Sequence, residues 1–170
     1  ILGQLTLPAD YNKISANLDI EIGKLSVMHL STQTGELRGS AQAQTDFTYH
    51  LNDGQFFLSS TLQTNELAGL HPKIDLFFAG KTNLEITIER NSAGTFLRKL
   101  LMSNPQVSAD GLGNITMGHS QLKGQLTLND TQLIDPSLAG ALHAKFYAEQ
   151  PTKTSDWDIF GDMNADQNTA

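Results

Sequence analysis

The ten residues from Lys13 to Ile22 constrain this chain more than any other stretch. Ile14, Ala16, Leu18, Ile20 and Ile22 fall on one side, and Ser15, Asn17, Asp19 and Glu21 on the other. Strict period-two alternation of that length marks a half-buried strand in an antiparallel sheet. After Gly23, the segment Leu25 to Leu30 is expected to pair back through a hairpin or a bulge.

The same rhythm recurs down the chain. Ala41, Ala43, Thr45, Phe47, Tyr49 and Leu51 continue one face, and Asn52-Asp53-Gly54 supplies residues that tolerate positive φ before Gln55 to Leu62 returns. Further strands are expected at Ile74 to Phe78 and at Leu84, Ile86 and Ile88, which alternate with Glu85, Thr87 and Glu89. One helix is expected at about residues 93–103. Asn91 or Ser92 can cap it, Phe96, Leu97, Leu100 and Leu101 form an i, i+1, i+4, i+5 stripe, and Asn104-Pro105 ends it. Strands resume at Val107 to Ala109, Leu112 to Met117, Gln121 to Leu128 and Leu138 to Ala148. Turn residues every 8–12 positions point to a mainly β fold, an antiparallel meander forming a sandwich or an open curved sheet or partial barrel.

Composition agrees, because only 17% of the 170 residues are charged while small polar residues are abundant. Residues 1–149 read as a single β-rich domain. Residues 150–170 read as an acidic flexible tail, with Asp156, Asp158, Asp162 and Asp166 set against Lys153 alone and Trp157, Ile159 and Phe160 docked on something. Ile1 in place of Met fits a mature or excised segment, with any export signal or membrane anchor upstream. Gly3-Gln4-Leu5-Thr6-Leu7 recurs as Gly124-Gln125-Leu126-Thr127-Leu128, an internal echo.

A net charge of −7, with 11 Lys and Arg spread thinly, argues against nucleic acid and anionic membrane surfaces. The absence of cysteine removes thiolate chemistry and Cys-based zinc sites. His29, His50, His71, His119 and His143 are scattered, with no H-x-x-x-H or H-x-H spacing, so no metal is expected. There is no G-x-S-x-G elbow, no S-x-x-K and no glycine-rich phosphate loop, so neither enzymatic activity nor a cofactor is expected. Glu85 and Glu89 share a strand face and read as solvated outer residues rather than a carboxylate pair. Asp162-Met163-Asn164-Ala165-Asp166 mimics the opening of a calcium loop, but Gln167 stands where that loop needs Gly. Asn114-Ile115-Thr116 and Asn129-Asp130-Thr131 fit the short glycosylation pattern.

What remains is apolar area. Leu18, Ile20, Ile22, Phe47, Tyr49, Leu84, Ile86, Ile88, Leu126 and Leu128 make long one-sided stripes. They are either a sandwich core or the lining of a groove or barrel interior for an acyl chain, with Phe96, Leu97, Leu100 and Leu101 on the helix as a lid.

The stretch Leu122-Lys123-Gly124-Gln125-Leu126-Thr127-Leu128, followed by an Asn-Asp or Asp-Pro turn and another Gly-x-Leu strand, resembles the AsmA-like group of Gram-negative envelope proteins, including its TamB-like and YdbH-like members. The resemblance implies a periplasmic segment of an inner-membrane-anchored protein, with a long β structure whose apolar groove carries phospholipid. The expected function is therefore non-enzymatic binding or conduction of a hydrophobic ligand, a lipid, with envelope proteins as further partners. The alternative is a scaffold or assembly module of a secretion or surface apparatus that binds protein partners through sheet edges.

Overall fold

The structure, a computed structural model, describes residues 2–6, 12–29, 31–32 and 35–166. In chain order the elements are β1 (Leu2–Thr6), β2 (Lys13–Ile22), β3 (Ser31–Thr32), β4 (Gly35–Glu36), β5 (Arg38–His50), β6 (Phe56–Ala68), α1 (Pro72–Asp75), β7 (Lys81–Asn91), β8 (Gly94–Ser103), β9 (Val107–Thr116), β10 (Ser120–Leu128), β11 (Ala141–Gln150) and β12 (Asp158–Asp166). Apart from the small β3–β4 pair, the strands form one ten-stranded sheet in the order β1-β2-β5-β6-β7-β8-β9-β10-β11-β12. Every neighbouring pair is antiparallel, and the sheet is open, not closed into a barrel. The mainly β antiparallel meander expected from the alternation is the observed fold.

The sheet is a single layer rather than a sandwich. Close packing between elements runs between neighbouring strands, with short helical segments against β5 and β6. A compact monomer of 18.5 kDa exposes about 8,200 Å², whereas this chain exposes 11271 Å². Among the described residues the buried apolar side chains are Leu25, Val107, Leu128 and Ala148. Cross-strand pairing and the backbone ladder carry the fold, because among the described residues no second layer supplies a core.

Four expectations are corrected. Residues 93–103 are not a helix but mostly β8, which pairs with β7 and β9. The register slips by one residue between Leu97 and Leu100, a β-bulge that places Arg98 and Lys99 together on one side. An apolar stripe at i, i+1, i+4, i+5 fits a helix, but it also fits a strand with one extra residue at its middle. Asn91, read as a helix cap, instead closes the β7–β8 turn, its Oδ1 accepting the Ala93 N–H at 2.9 Å.

Second, Leu25–Met28 is a 3-10 turn rather than a strand, and β2 pairs with β5; Leu30 lies outside the described residues. Third, Ile74 to Phe78 is helical: α1 runs into a 3-10 turn at Leu76–Phe78. Pro72 sits at the start of α1, His71 Nδ1 accepts the Lys73 N–H, and the Asp75 carboxylate accepts N–H groups from Gly69, Leu70 and His71. Those backbone donors, Gly69 foremost, hold Asp75 below the usual carboxylate range. A capped, proline-started turn outweighs the β-leaning side chains of a segment this short.

Fourth, the acidic tail is not free along its length: Asp158–Asp166 forms β12 against β11. Its acids obscure a period-two pattern of Ile159, Gly161, Met163 and Ala165. Ile159 lies opposite Ala148, and Phe160 stacks on Tyr147 with ring centroids 6.3 Å apart. In an extended strand the oxygens of Asp162, Asn164 and Asp166 cannot converge as a calcium loop requires; Gln167 lies outside the described residues.

The bulge has a testable consequence. Deleting Arg98 restores a regular β8 and keeps Leu97 and Leu100 on the same face, so it should shift stability by less than about 2 kcal/mol. Deleting Thr87 instead turns Ile86 and Ile88 to opposite faces and should cost more. Urea midpoints for the two deletions, with far-UV circular dichroism, check the ordering; a helix would lose its stripe on loss of Arg98.

Candidate functional site: an open apolar face

Residues directly opposite in an antiparallel ladder project from the same side of the sheet. Following those pairs from one edge to the other gives the row Leu5, Ala16, Phe47, Leu58, Ile88, Leu97, Gly113, Leu122, Ala148 and Ile159, one residue per strand. No residue in it is polar. A parallel row runs Ile20, Ala43, Leu62, Leu84, Met102, Ala109, Leu126, Ala144 and Met163. Between them lie Leu18, Thr45, Ser60, Ile86, Leu100, Gly111, Gly124, Phe146 and Gly161, and the Thr45 and Ser60 hydroxyls satisfy each other at 2.8 Å.

At a strand spacing of about 4.8 Å, the apolar lane crosses roughly 43 Å of sheet, and its outer rows stand about 14 Å apart along the strands. Many of its side chains are half-buried by one another, but Leu126 remains 42% and Ile159 75% exposed. The lane is an open face, neither an enclosed channel nor a packed core.

All ten stripe residues expected from the sequence, Leu18, Ile20, Ile22, Phe47, Tyr49, Leu84, Ile86, Ile88, Leu126 and Leu128, project from this one face. The expected lid does not exist as such. Leu97 and Leu100 are part of the lane, while Phe96 and Leu101 point to the other side, with the Arg98 guanidinium 4.2 Å from the Phe96 ring centroid. Leu58, Leu62, Leu122, Phe146 and Met163 were not singled out. Counting parity across the Asn52-Asp53-Gly54 turn finds Leu58 and Leu62, because a hairpin of known register fixes the partner face.

Gly3 and Gly124 are set by close approach. A Cβ on Gly124 would meet the Asp110 carbonyl oxygen and fall 2.7 Å from the Phe146 ring, and one on Gly3 would fall 2.7 Å from Leu18. The echoed glycines of β1 and β10 thus share a role, each lying under a large side chain of the next strand; Leu7, the last residue of the β1 copy, lies outside the described residues. Gly124→Val should lower stability by about 1–3 kcal/mol through displacement of Phe146. Gly23→Ala, where nothing lies within 4 Å, serves as the neutral control in the same urea titration.

The opposite face is polar. Glu85 pairs with Lys99 at 2.6 Å and Glu89 with Arg98 at 2.9 Å, half-exposed pairs of the kind that contribute about 0–1 kcal/mol. The Arg98 hydrogen bond, with Asn91 second, holds the Glu89 carboxyl below its usual range. His143 bridges Thr127 and Asp166, and His119 lies between Gln121 and Glu149. A shallow depression of about 390 Å³ on this side is lined by Asp19, Glu21, Gln42, Gln44, Thr61 and Gln63. Among the described residues, no three His, Asp or Glu side chains gather to hold a metal ion.

Compared with family models, curated proteins and solved structures, the chain matches none.

Proposed function

We propose that this chain is a non-enzymatic β domain that binds and conducts a hydrophobic ligand, a lipid, along its open apolar face. The observation that carries the reading is the unbroken apolar row from Leu5 on β1 to Ile159 on β12. A pocket would end inside the sheet; this lane reaches both edges. Full removal of a methylene from water contributes about 0.8 kcal/mol. A chain lying on an open face is covered on one side only and gains part of that per carbon. Weak attraction repeated along 43 Å, about the lane's length, favours sliding over tight capture. The repeat texture shared with AsmA-like proteins agrees with a place in the periplasm, within an inner-membrane-anchored protein.

The test is titration of purified protein with a pyrene-labelled fatty acid, followed by transfer of that probe between two vesicle populations. Saturable binding and accelerated transfer are expected. Absence of binding, with a stoichiometric protein partner recovered instead, favours the second reading: a scaffold module that pairs partners along its sheet edges, for which the open edge of β12 is the supporting feature.

A further inference from the structure

We infer that one rim of the apolar face is a headgroup site, built by Arg90 and Lys153, that selects lipids carrying a phosphate-bearing anionic headgroup. This rests on the lipid reading above and adds to it the residues that hold the headgroup. In the regular part of the ladder Arg90 is the one charged side chain on the apolar face, opposite Phe56 on one side and Thr95 on the other. It lies two ladder positions beyond the row of Ile88 and Leu97, the next residue on that face, where the lane meets the strand ends.

A depression of about 520 Å³ opens there, lined by Arg90, Thr95, Ile115, Ser120, Gln150 and Lys153 among others. It has two cations and no carboxylate in a chain whose net charge is −7. Among the described residues neither cation makes an ion pair: the pairs to carboxylates fall on Arg98, Lys99 and three histidines. By contrast, the polar-face depressions have carboxylates in their walls: Asp19 and Glu21, Glu85 and Asp110, or Asp110 beside Lys123 and Lys145. An anionic group is therefore repelled from most of the surface and met by two donors at this rim.

The geometry suits an amphiphile. Strand β7 leads inward from Arg90 to Ile88, Ile86 and Leu84 on the same face. A tail lying there stays apolar, while its headgroup remains at the wet rim without losing its hydration. Charge-assisted hydrogen bonds from a guanidinium and an ammonium to phosphate oxygens are the strong kind and need only the headgroup's oxygens as acceptors.

The experiment compares dodecyl phosphate, dodecyl maltoside and inorganic phosphate, each below its micelle concentration where it has one. Binding is read by isothermal titration on the wild-type chain and on Arg90→Gln/Lys153→Gln. The wild type should bind dodecyl phosphate about tenfold more tightly than dodecyl maltoside, and the double variant should erase that difference by weakening dodecyl phosphate. Equal affinity for the two detergents, or a preference that survives the substitutions, overturns the headgroup site while leaving the lipid reading intact. Inorganic phosphate binding as tightly as dodecyl phosphate overturns it in favour of a free-phosphate site. Failure of both detergents to bind overturns the lipid reading itself.

Discussion

Ile86→Asp should weaken binding of an acyl probe by about tenfold or more, while Thr87→Asp on the same strand leaves it within about twofold. Ile86 stands in the middle of the lane, opposite Ser60 on β6 and Leu100 on β8. A carboxylate there must either lose water to an adjacent acyl chain or hold that chain away, and either breaks the lane at its centre. Thr87 points to the polar face, opposite Ser59 and Lys99. Both variants carry the same loss of β propensity and the same added charge, so their difference isolates the face. Transfer should suffer more than binding, because an interrupted lane still has two halves that hold a chain. Equal behaviour of the two variants in the titration contradicts the reading.

Removing the charges of β12 should drive the chain to self-associate. All nine residues of β12 are exposed, and among the described residues it pairs with β11 alone. It carries no Lys, no Pro and no bulge, features that commonly blunt a sheet edge. Its protection is negative charge. If two copies paired antiparallel about Asp162, that residue would meet its own copy and Asp158 would meet Asp166. Three like-charge cross-strand pairs cost about 1–3 kcal/mol together, or roughly ten- to a hundredfold in association. The triple Asn variant of Asp158, Asp162 and Asp166 should therefore self-associate at concentrations where the wild type sedimentates as a monomer, and added salt should move the wild type in the same direction. A triple variant that stays monomeric throughout a sedimentation series assigns the acids no such role.

The alternation at Lys13 to Ile22 was enough to read an antiparallel meander and to select one face, because a strand's period is two and each hairpin carries parity to its neighbour. That is why residues as far apart as Leu18 and Leu126 could be grouped before any pairing was known. Three things escaped this logic. At β8, one bulged residue between Leu97 and Leu100 converts strand spacing into helix spacing. At 72–78, the turn chemistry of Pro72, His71 and Asp75 prevails over side-chain preference. At 158–166, the acids that look like a solvated tail occupy the outward face of an edge strand whose other face is apolar.

The site itself was legible as a stripe but not as an open surface. Sequence alternation cannot distinguish a face covered by a second sheet from one left uncovered; the exposed area of 11271 Å² does. Arg90 escaped for a different reason. In sequence the alternation was read only as far as Glu89; β7 continues through Arg90, and period two then puts it on the Ile88 side, opposite Phe56 and Thr95.

The most direct measurement is a map of where an acyl chain lies. A fatty acid bearing a diazirine, bound to the purified chain, photolysed and located by peptide mass spectrometry, should label residues of the apolar face on several strands, among them Leu58, Ile86, Leu97 and Leu122. Labels confined to the polar face, around Gln42, Gln63 or Gln125, or the absence of any label above that of a denatured control, would contradict the account.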